Sequence, residues 1–159
     1  MSEGVHEYGC LMIYFDFEGI KTFQKVLEPE DIIELEKNPH VTLLYGFHDS
    51  VKPKKLINIV KKFDFNHCKV YNVSVFENEE FDVLKFDVEQ SNLQLINQEL
   101  SLFPHTNLYG SYKPHMTIAY MKPGTGKNYI QKLCWAKFLM TPNKIVYSKP
   151  DGTKIEKII

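Results

Sequence analysis

One short phrase occurs twice in this sequence, and it contains residues suited to proton transfer. PHVTLLY occupies residues 39–45, and PHMTIAY occupies residues 114–120. In each copy a histidine precedes a threonine by two positions, inside an apolar run that predicts a β-strand. Because side chains alternate between the faces of a strand, the His and the Thr of each copy share one face. The repeat therefore predicts two strands that each present an imidazole and a hydroxyl.

Two such pairs suit the cleavage of a phosphodiester. Imidazole titrates at about pH 6.5, so at neutral pH one histidine can accept a proton while the other donates one. Threonine hydroxyls can hold the non-bridging oxygens of the phosphate and stabilise charge in the transition state. We expect four residues to be catalytic, namely His40, Thr42, His115 and Thr117. The sequence leaves open which histidine is the acid and which is the base.

A single His-x-Thr match would carry little weight, because the chain contains six histidines. His48 and Ser50 make a similar match in a turn-like segment, and we assign it no role. For either phrase alone, a buried strand with an incidental histidine explains the pattern as well. Two copies with Pro, His, Thr and Tyr at the same offsets are much harder to explain in that way.

No metal or other cofactor is expected. Two histidines on separate strands, without an Asp or Glu at ligand spacing, make a poor metal site. The segment KPGTGK at 122–127 resembles a phosphate-binding loop only superficially. Met121 stands where the first glycine of that motif is needed, and Asn128 stands where Ser or Thr is needed. We expect this segment to form a lip beside His115 instead.

Composition favours a single domain spanning residues 1–159 and acting on a small ligand. Because the net charge is −1, no long nucleic acid is expected as a ligand. All 19 basic residues are lysine, so no arginine fork can bind phosphate. Three widely spaced cysteines predict reduced thiols, and neither a long apolar run nor a basic leader is evident at the N-terminus. We expect a cytoplasmic monomer with no membrane segment.

The predicted elements alternate between strands and helices. Strands are predicted at 10–17, 40–46, 69–76, 81–88 and 115–120 with a C-terminal hairpin turning at 150–152, and helices at 29–37, 53–63, 92–102 and 127–134. This order indicates an α+β fold. Simple alternation along the motif strands places Tyr45 and Tyr120 opposite the His–Thr pairs, which favours a packing role for both tyrosines.

Five further residues are candidates for binding the substrate. Tyr8 and Tyr14 share the more polar face of the first strand and could stack a base. Lys85 and Lys122 could contact phosphate, and Tyr147 is a C-terminal candidate for stacking. The alternatives are half-buried tyrosines and solvated lysines.

The paired His-x-Thr motifs, 75 residues apart in a chain of this size, resemble those of the two-histidine (2H) phosphoesterase superfamily. The resemblance implies a bilobal, pseudo-twofold α+β fold in which antiparallel sheets line a central groove with helices outside. It also implies metal-independent catalysis, with His40 and His115 as the acid/base pair and Thr42 and Thr117 holding phosphate.

Within the superfamily, YGCLMIYFDF, PHVTLLYG and PHMTIAYMKPGTG look most similar to the phage anti-CBASS nucleases. That resemblance implies hydrolysis of 3′,5′ bonds in cyclic di- and trinucleotide immune signals, by attack of the ribose 2′-hydroxyl, in the host cytoplasm. Two alternatives remain. One is a phosphodiesterase acting on RNA 2′,3′-cyclic phosphates or 2′,5′-linked oligonucleotides, and the other is a binding protein that sequesters nucleotides without cleaving them.

Overall fold

Two antiparallel sheets form most of the structure, a computed structural model that describes residues 6–159. The four-stranded sheet has the order β3-β1-β8-β9 and contains β1 (Gly9–Tyr14), β3 (His40–Phe47), β8 (Lys144–Ser148) and β9 (Lys154–Ile158). The five-stranded sheet has the order β2-β6-β5-β4-β7 and contains β2 (Ile32–Leu35), β4 (Cys68–Glu77), β5 (Asp82–Glu89), β6 (His115–Met121) and β7 (Phe138–Met140). The two motif strands, β3 and β6, therefore belong to different sheets.

Four helices pack against these sheets. They are α1 (Ile20–Gln24), α2 (Pro53–Val60), α3 (Ser91–Leu100) and α4 (Ile130–Leu133), and 3-10 turns occupy Pro29–Asp31 and Gly126–Tyr129. Helix α1 contacts β6, α2 contacts β8 and α3 contacts β3. At the start of α3 the Gln90 side chain, rather than Ser91, accepts a hydrogen bond from the backbone amide of Asn92. No helix within residues 6–159 has the length and apolar character to cross a membrane.

The aliphatic residues of the motif strands anchor those strands in the hydrophobic core. Val41, Leu43, Met116 and Ile118 are all completely buried. Burying a side chain of this size stabilises the fold by about 1.5–3 kcal/mol. Strand alternation predicts this burial, and the structure confirms it for both strands.

The α+β class and the predicted strands, including the C-terminal hairpin, are confirmed, but the helix predicted at 29–37 is wrong. The chain makes one 3-10 turn at Pro29–Asp31 and then enters β2, which pairs with β6. The β-branched Ile32 and Ile33 suit a strand better than a helix. Because Glu36 follows β2 directly, its amide donates to the carbonyl of Ile118. Residue 36 is thereby fixed beside the second motif strand.

A loop covers the outer side of β3 near its end. Phe47 forms an isolated β-bridge with His105, and the amide of Thr106 donates to the carbonyl of Gly46 over 2.9 Å. Gly46 has φ of 125°, and a Cβ there would lie 2.2 Å from the carbonyl oxygen of Thr106. Only glycine fits a positive φ with backbone so close, so residue 46 fixes this loop against β3.

Candidate active site

The two motif histidines are held in the same way. His40 Nδ1 lies 2.8 Å from the carbonyl oxygen of Asn38, and His115 Nδ1 lies 2.9 Å from the carbonyl oxygen of Lys113. In each case the acceptor is two residues before the histidine. Because a carbonyl oxygen can only accept, Nδ1 carries a proton and Nε2 is the atom left to exchange one.

The two histidines lie within electrostatic range of one another, since β3 and β6 contact each other across the two sheets. Burial lowers the pKa of His115, and positive charge on Lys85 and His40 lowers it further. The Lys113 carbonyl and Asp87 act in the opposite direction without reversing the shift. His115 is therefore favoured in its neutral form, as a general base requires.

The motif threonines share the histidine face and are themselves hydrogen-bonded. The hydroxyl of Thr42 bonds to the thiol of Cys10, whose pKa is raised by burial to about 12 in spite of that bond. Thr117 is buried and bonds to the hydroxyl of Tyr120. Both hydroxyls are thus held in place two residues beyond a motif histidine.

A bulge follows each motif threonine and changes the orientation of the strand beyond it. In β3 the pairing with β1 skips Leu43, and in β6 the pairing with β5 skips Ile118. An extra residue reverses the alternation of faces. Tyr45 and Tyr120 consequently lie on the same face as the His–Thr pairs, and their predicted position on the opposite face is wrong.

A third tyrosine, carried by the loop between α3 and β6, lies near these two. The ring of Tyr109 is 6.3 Å from that of Tyr45, and Tyr109 contributes to a raised pKa at both Tyr45 and Tyr120. Burial is the main cause at both sites, followed at Tyr120 by the carboxylates of Glu36 and Glu34. The pKa of Tyr120 rises to about 12, so its phenol stays protonated at neutral pH.

Lys85 lies beside His115 and is held rigidly. Its Nζ is 2.7 Å from Asp87 Oδ1 and 2.6 Å from Ser74 Oγ. Although burial raises the pKa of Asp87, hydrogen bonds from Lys85 and Ser74 hold it below its usual value. In the pairing of β5 with β6, Lys85 is opposite Thr117 and Asp87 is opposite His115. The ammonium is thus fixed next to the second His–Thr pair.

Glu36 and Tyr14 surround His40. Glu36 Oε1 lies 3.1 Å from His40 Nδ1, and the Glu36 side chain is only 4% exposed. The Tyr14 ring stacks on His40 at 5.4 Å and also contacts the ammonium of Lys144. Tyr14 is mostly buried and supports His40, and it also lines the recess at Pro39, so its predicted role in stacking a base stays a prediction.

Each histidine has a recess beside it, bordered by the proline that precedes the histidine. The recess at Pro114 has a volume of about 940 Å³ and is formed by β4, β5, the start of α3 and residues 112–114. The recess at Pro39 has a volume of about 260 Å³. Exposed or polar side chains in the larger recess include Tyr71, Lys85, Asp87, Gln94 and Lys113. None of the four motif His and Thr side chains lines either recess, so each recess adjoins the motif through its proline.

The other predicted binding residues lie further away. Tyr8 is half-buried against Tyr45 and His48, at the end of β3 remote from His40. Lys122 is exposed and follows the last residue of β6, about 20 Å along the strand from His115. Lys122 and its segment therefore form no lip beside His115, contrary to the prediction.

Tyr147 belongs to the core. It is 3% exposed, its ring packs 6.1 Å from that of Phe47, and burial raises its pKa to about 12. The predicted stacking of a base on Tyr147 is wrong, because the period-two pattern of β8 places this ring between the sheet and its helices.

The sequence prediction missed three residues of the site, Glu36, Tyr45 and Tyr120. Extending the alignment of the two phrases upstream pairs Glu36 with Ser111, so the repeat gives no signal for Glu36. No local signal marks the bulges that reorient the tyrosines. Among residues 6–159, no three His, Cys, Asp or Glu side chains are grouped to hold a metal ion.

Solved structures resemble this chain over nearly its whole length. Usb1 from Kluyveromyces marxianus superposes with a TM-score of 0.64 at 8% identity, covering 96% of this chain and 98% of that one. The same protein solved with uridine monophosphate gives 0.59 at 10% identity, with coverage of 96% and 98%. A protein described as a phosphoesterase gives 0.55 at 10% identity, with coverage of 97% and 96%.

The chain has the same α+β fold as Usb1 and this phosphoesterase. The fold expected from the paired His-x-Thr phrases is thereby confirmed. At these identities the likeness concerns the fold, with its two sheets and the two motif strands meeting between them. No protein-family model and no curated protein matches the sequence.

Proposed function

We propose that this protein is a metal-independent phosphodiesterase that hydrolyses 3′,5′ bonds in cyclic di- and trinucleotides. The observation that carries the proposal is the matched setting of His40 and His115. Each ring donates Nδ1–H to the carbonyl two residues earlier, and the two rings lie on strands that contact each other. Two imidazoles with Nε2 available can transfer protons on both sides of one phosphorus.

The proposed reaction begins with the ribose 2′-hydroxyl adjacent to the scissile phosphate. One histidine removes the hydroxyl proton while the 2′-oxygen forms a bond to phosphorus. The bond from phosphorus to the 5′-oxygen breaks, and the other histidine protonates that oxygen. The products are a 2′,3′-cyclic phosphate and a free 5′-hydroxyl. Attack by water, with the proton transfers reversed, then opens the cyclic phosphate.

Hydroxyls and one lysine are proposed to hold the phosphate. Thr42 and Thr117 provide hydroxyls on the histidine face, and Lys85 is fixed opposite Thr117. Donors held in place before the reaction stabilise developing charge without reorganising. This set replaces the arginine forks that the sequence lacks.

The recesses support a small substrate with a nucleoside on each side of the phosphate. One recess borders the proline that precedes each motif histidine, and the larger, of about 940 Å³, is comparable to ligand pockets in general. The net charge of −1 provides no field for long nucleic acid. Together with the sequence resemblance to phage anti-CBASS nucleases, these features support the removal of cyclic nucleotide immune signals in a host cell.

Product analysis tests the proposal. Purified protein is incubated in EDTA with cyclic di- and trinucleotides, and the products are identified by mass spectrometry. His40→Ala and His115→Ala are each expected to lower the rate by about 10²–10⁴-fold. His105→Ala is the matched control, because His105 Nδ1 also bonds to the carbonyl two residues earlier but lies outside the site. Equal rates in all variants would refute two-histidine catalysis, and intact ligand after long incubation with wild type would indicate a binding protein.

A second candidate substrate is an RNA end. Kluyveromyces marxianus Usb1 has been solved with uridine monophosphate, so a protein of this fold binds a nucleotide. RNA oligonucleotides ending in a 2′,3′-cyclic phosphate, and 2′,5′-linked oligonucleotides, belong in the same assay. Faster turnover of these substrates would overturn the cyclic-nucleotide assignment while leaving the catalytic assignment in place.

A further inference from the structure

The two histidines differ in the residue four positions upstream. His40 is preceded at that offset by Glu36, and His115 by Ser111. Glu36 Oε1 lies 3.1 Å from His40 Nδ1. Ser111 is exposed in the loop before β6. A carboxylate thus lies against the Nδ1 of His40, whereas the carboxylate that faces His115, Asp87, is paired with Lys85. The pseudo-twofold relation between the two halves is therefore broken at the reacting groups.

Glu36 is fixed by backbone contacts to the other half of the molecule. Its amide donates to the carbonyl of Ile118 over 3.1 Å, and its carbonyl accepts from Gln24 Nε2 over 2.8 Å. Gln24 also donates to the carbonyl of Ile118. The carboxylate is therefore held between α1 and β6 and cannot drift away from His40 without disrupting this network.

The geometry at His40 Nδ1 requires a protonated nitrogen. The nitrogen carries a single proton, and its two neighbours, the Asn38 carbonyl at 2.8 Å and the Glu36 carboxylate at 3.1 Å, are both acceptors. The two acceptors orient the ring so that Nδ1–H points at them, and the Glu36 carboxylate lies beside the ring that is to give up a proton. Glu36 is 4% exposed, so solvent ions screen the interaction little.

The surroundings of His115 have the opposite bias. The charged groups that face it are Lys85, Asp87 and the partner histidine His40. Lys85 is bonded to Asp87, which compensates part of the negative charge on that side. Burial and the two cations together favour the neutral ring of His115.

We propose that Glu36 is a positioning residue that commits His40 to the role of general acid and leaves His115 as the general base. This rests on the proposed phosphodiesterase activity. In the cleavage step His115 Nε2 takes the proton of the 2′-hydroxyl, the 2′-oxygen bonds to phosphorus, and the bond to the 5′-oxygen breaks. His40 Nε2–H supplies the proton that the 5′-oxygen receives.

The assignment fixes the direction in which the substrate binds. The nucleoside that carries the attacking 2′-hydroxyl lies on the side of His115, where the recess of about 940 Å³ adjoins Pro114. The nucleoside that leaves through its 5′-oxygen lies on the side of His40, next to the recess of about 260 Å³ at Pro39. Selectivity between bases should therefore be stronger for the nucleoside that carries the attacking 2′-hydroxyl and is retained as the cyclic phosphate, since it lies on the side of the larger recess.

A change of leaving group tests the assignment. The two substrates are a cyclic dinucleotide and a ribonucleoside 3′-(4-nitrophenyl phosphate), whose nitrophenolate departs without needing a proton. Glu36→Gln is expected to lower kcat on the cyclic dinucleotide by about tenfold or more and His40→Ala by about 10²–10⁴-fold. Both variants should stay within about threefold of wild type on the aryl ester. His115→Ala should be slow on both substrates, because the base is needed in either case.

The matched control is Ser111→Ala, at the equivalent offset before His115, which should behave as wild type on both substrates. Thermal melting establishes that Glu36→Gln is folded. Equal losses on both substrates would mean that Glu36 acts only through the fold, and rescue of His115→Ala but not of His40→Ala would reverse the assignment. If wild type cleaves neither substrate, the proposed function itself is wrong. If it cleaves both and Glu36→Gln is unchanged, only the role of Glu36 is wrong.

Discussion

The side chains of Thr117 and Tyr120 are joined by a hydrogen bond, although residues three apart in a regular strand point to opposite faces. The bulge at Ile118 makes the contact possible. The pKa of Tyr120 is raised to about 12, mainly by burial, so the phenol stays protonated. The bond to Thr117 acts against that rise, so the Thr117 hydroxyl donates to the phenol oxygen, and this contact fixes the position of Thr117.

Removing the Tyr120 hydroxyl should therefore weaken the hold of Thr117 on the transition state. We expect Tyr120→Phe to lower kcat by about tenfold, with a smaller change in KM, since an oriented donor matters most where charge develops. Tyr45→Phe is the matched control, because the Tyr45 hydroxyl bonds to the backbone of Tyr8 instead of to a motif threonine. Equal effects of the two substitutions, measured by steady-state kinetics, would contradict the pairing of Thr117 with Tyr120.

The charge on Lys85 should set the acidic limb of the pH–rate profile. As the base, His115 must be neutral, so kcat/KM falls when the pH drops through the pKa of His115. That pKa is lowered by burial and by Lys85 and raised by Asp87. Lys85→Met should raise the pKa of His115 and move the acidic limb to higher pH.

Asp87→Asn provides the opposite change. It leaves Lys85 without its carboxylate partner, so the pKa of His115 should fall and the acidic limb should move to lower pH. Profiles of kcat/KM from pH 4 to 9 for the two variants and wild type measure both shifts. If the acidic limb moves in the same direction in Lys85→Met and in Asp87→Asn, the two residues act through the fold instead of through their charges.

Tyr71 should contribute to binding and not to the chemical step. It is 44% exposed in the larger recess, where its ring can stack on a base. Stacking on an aromatic side chain is worth about 1–3 kcal/mol per base, so Tyr71→Ala should raise KM at least about fivefold while kcat stays near wild type. Phe76→Ala is the control, since Phe76 is an exposed aromatic residue of the same strand that does not line the recess. A lowered kcat with unchanged KM would contradict this prediction, because it would mean that Tyr71 acts in the chemical step and not in binding.

Tyr147 should matter for stability alone. Truncating a large buried aromatic side chain costs about 3–5 kcal/mol, so Tyr147→Ala should lower the free energy of unfolding in urea by about that amount. The activity per folded molecule should be unchanged under conditions where the variant is folded. A raised KM without loss of stability would instead support the binding role first predicted for this residue.

The sequence predicts the motif strands well as far as each threonine. Up to Thr42 and Thr117, the period of two separates the His–Thr face from the buried face, and Val41 and Met116 are buried as expected. Beyond the threonines the prediction fails, because a bulge is determined by the pairing partner. The sequence around Tyr45 gives no sign that β3 has one residue more than β1 at that point.

Glu36 was missed for a related reason. Pro29 followed by acidic residues is typical of a helix start, and the local pattern favours continuing that helix. The pairing of Ile32 and Leu35 with β6 overrides it, and that pairing joins segments distant in the sequence. The carboxylate of Glu36 is thereby placed beside His40 instead of on a helix.

The edge strands of the two sheets also affect whether copies of this chain associate with one another. The outer side of β3 is bridged to the loop at His105, and β9 carries Lys154, Glu156 and Lys157. In the other sheet the edge strands β2 and β7 have only 4 and 3 residues. An unpaired edge that is long and apolar invites strand addition by a second molecule, and covered, charged or short edges discourage it. We therefore expect the chain to resist self-association through its sheets even at high concentration.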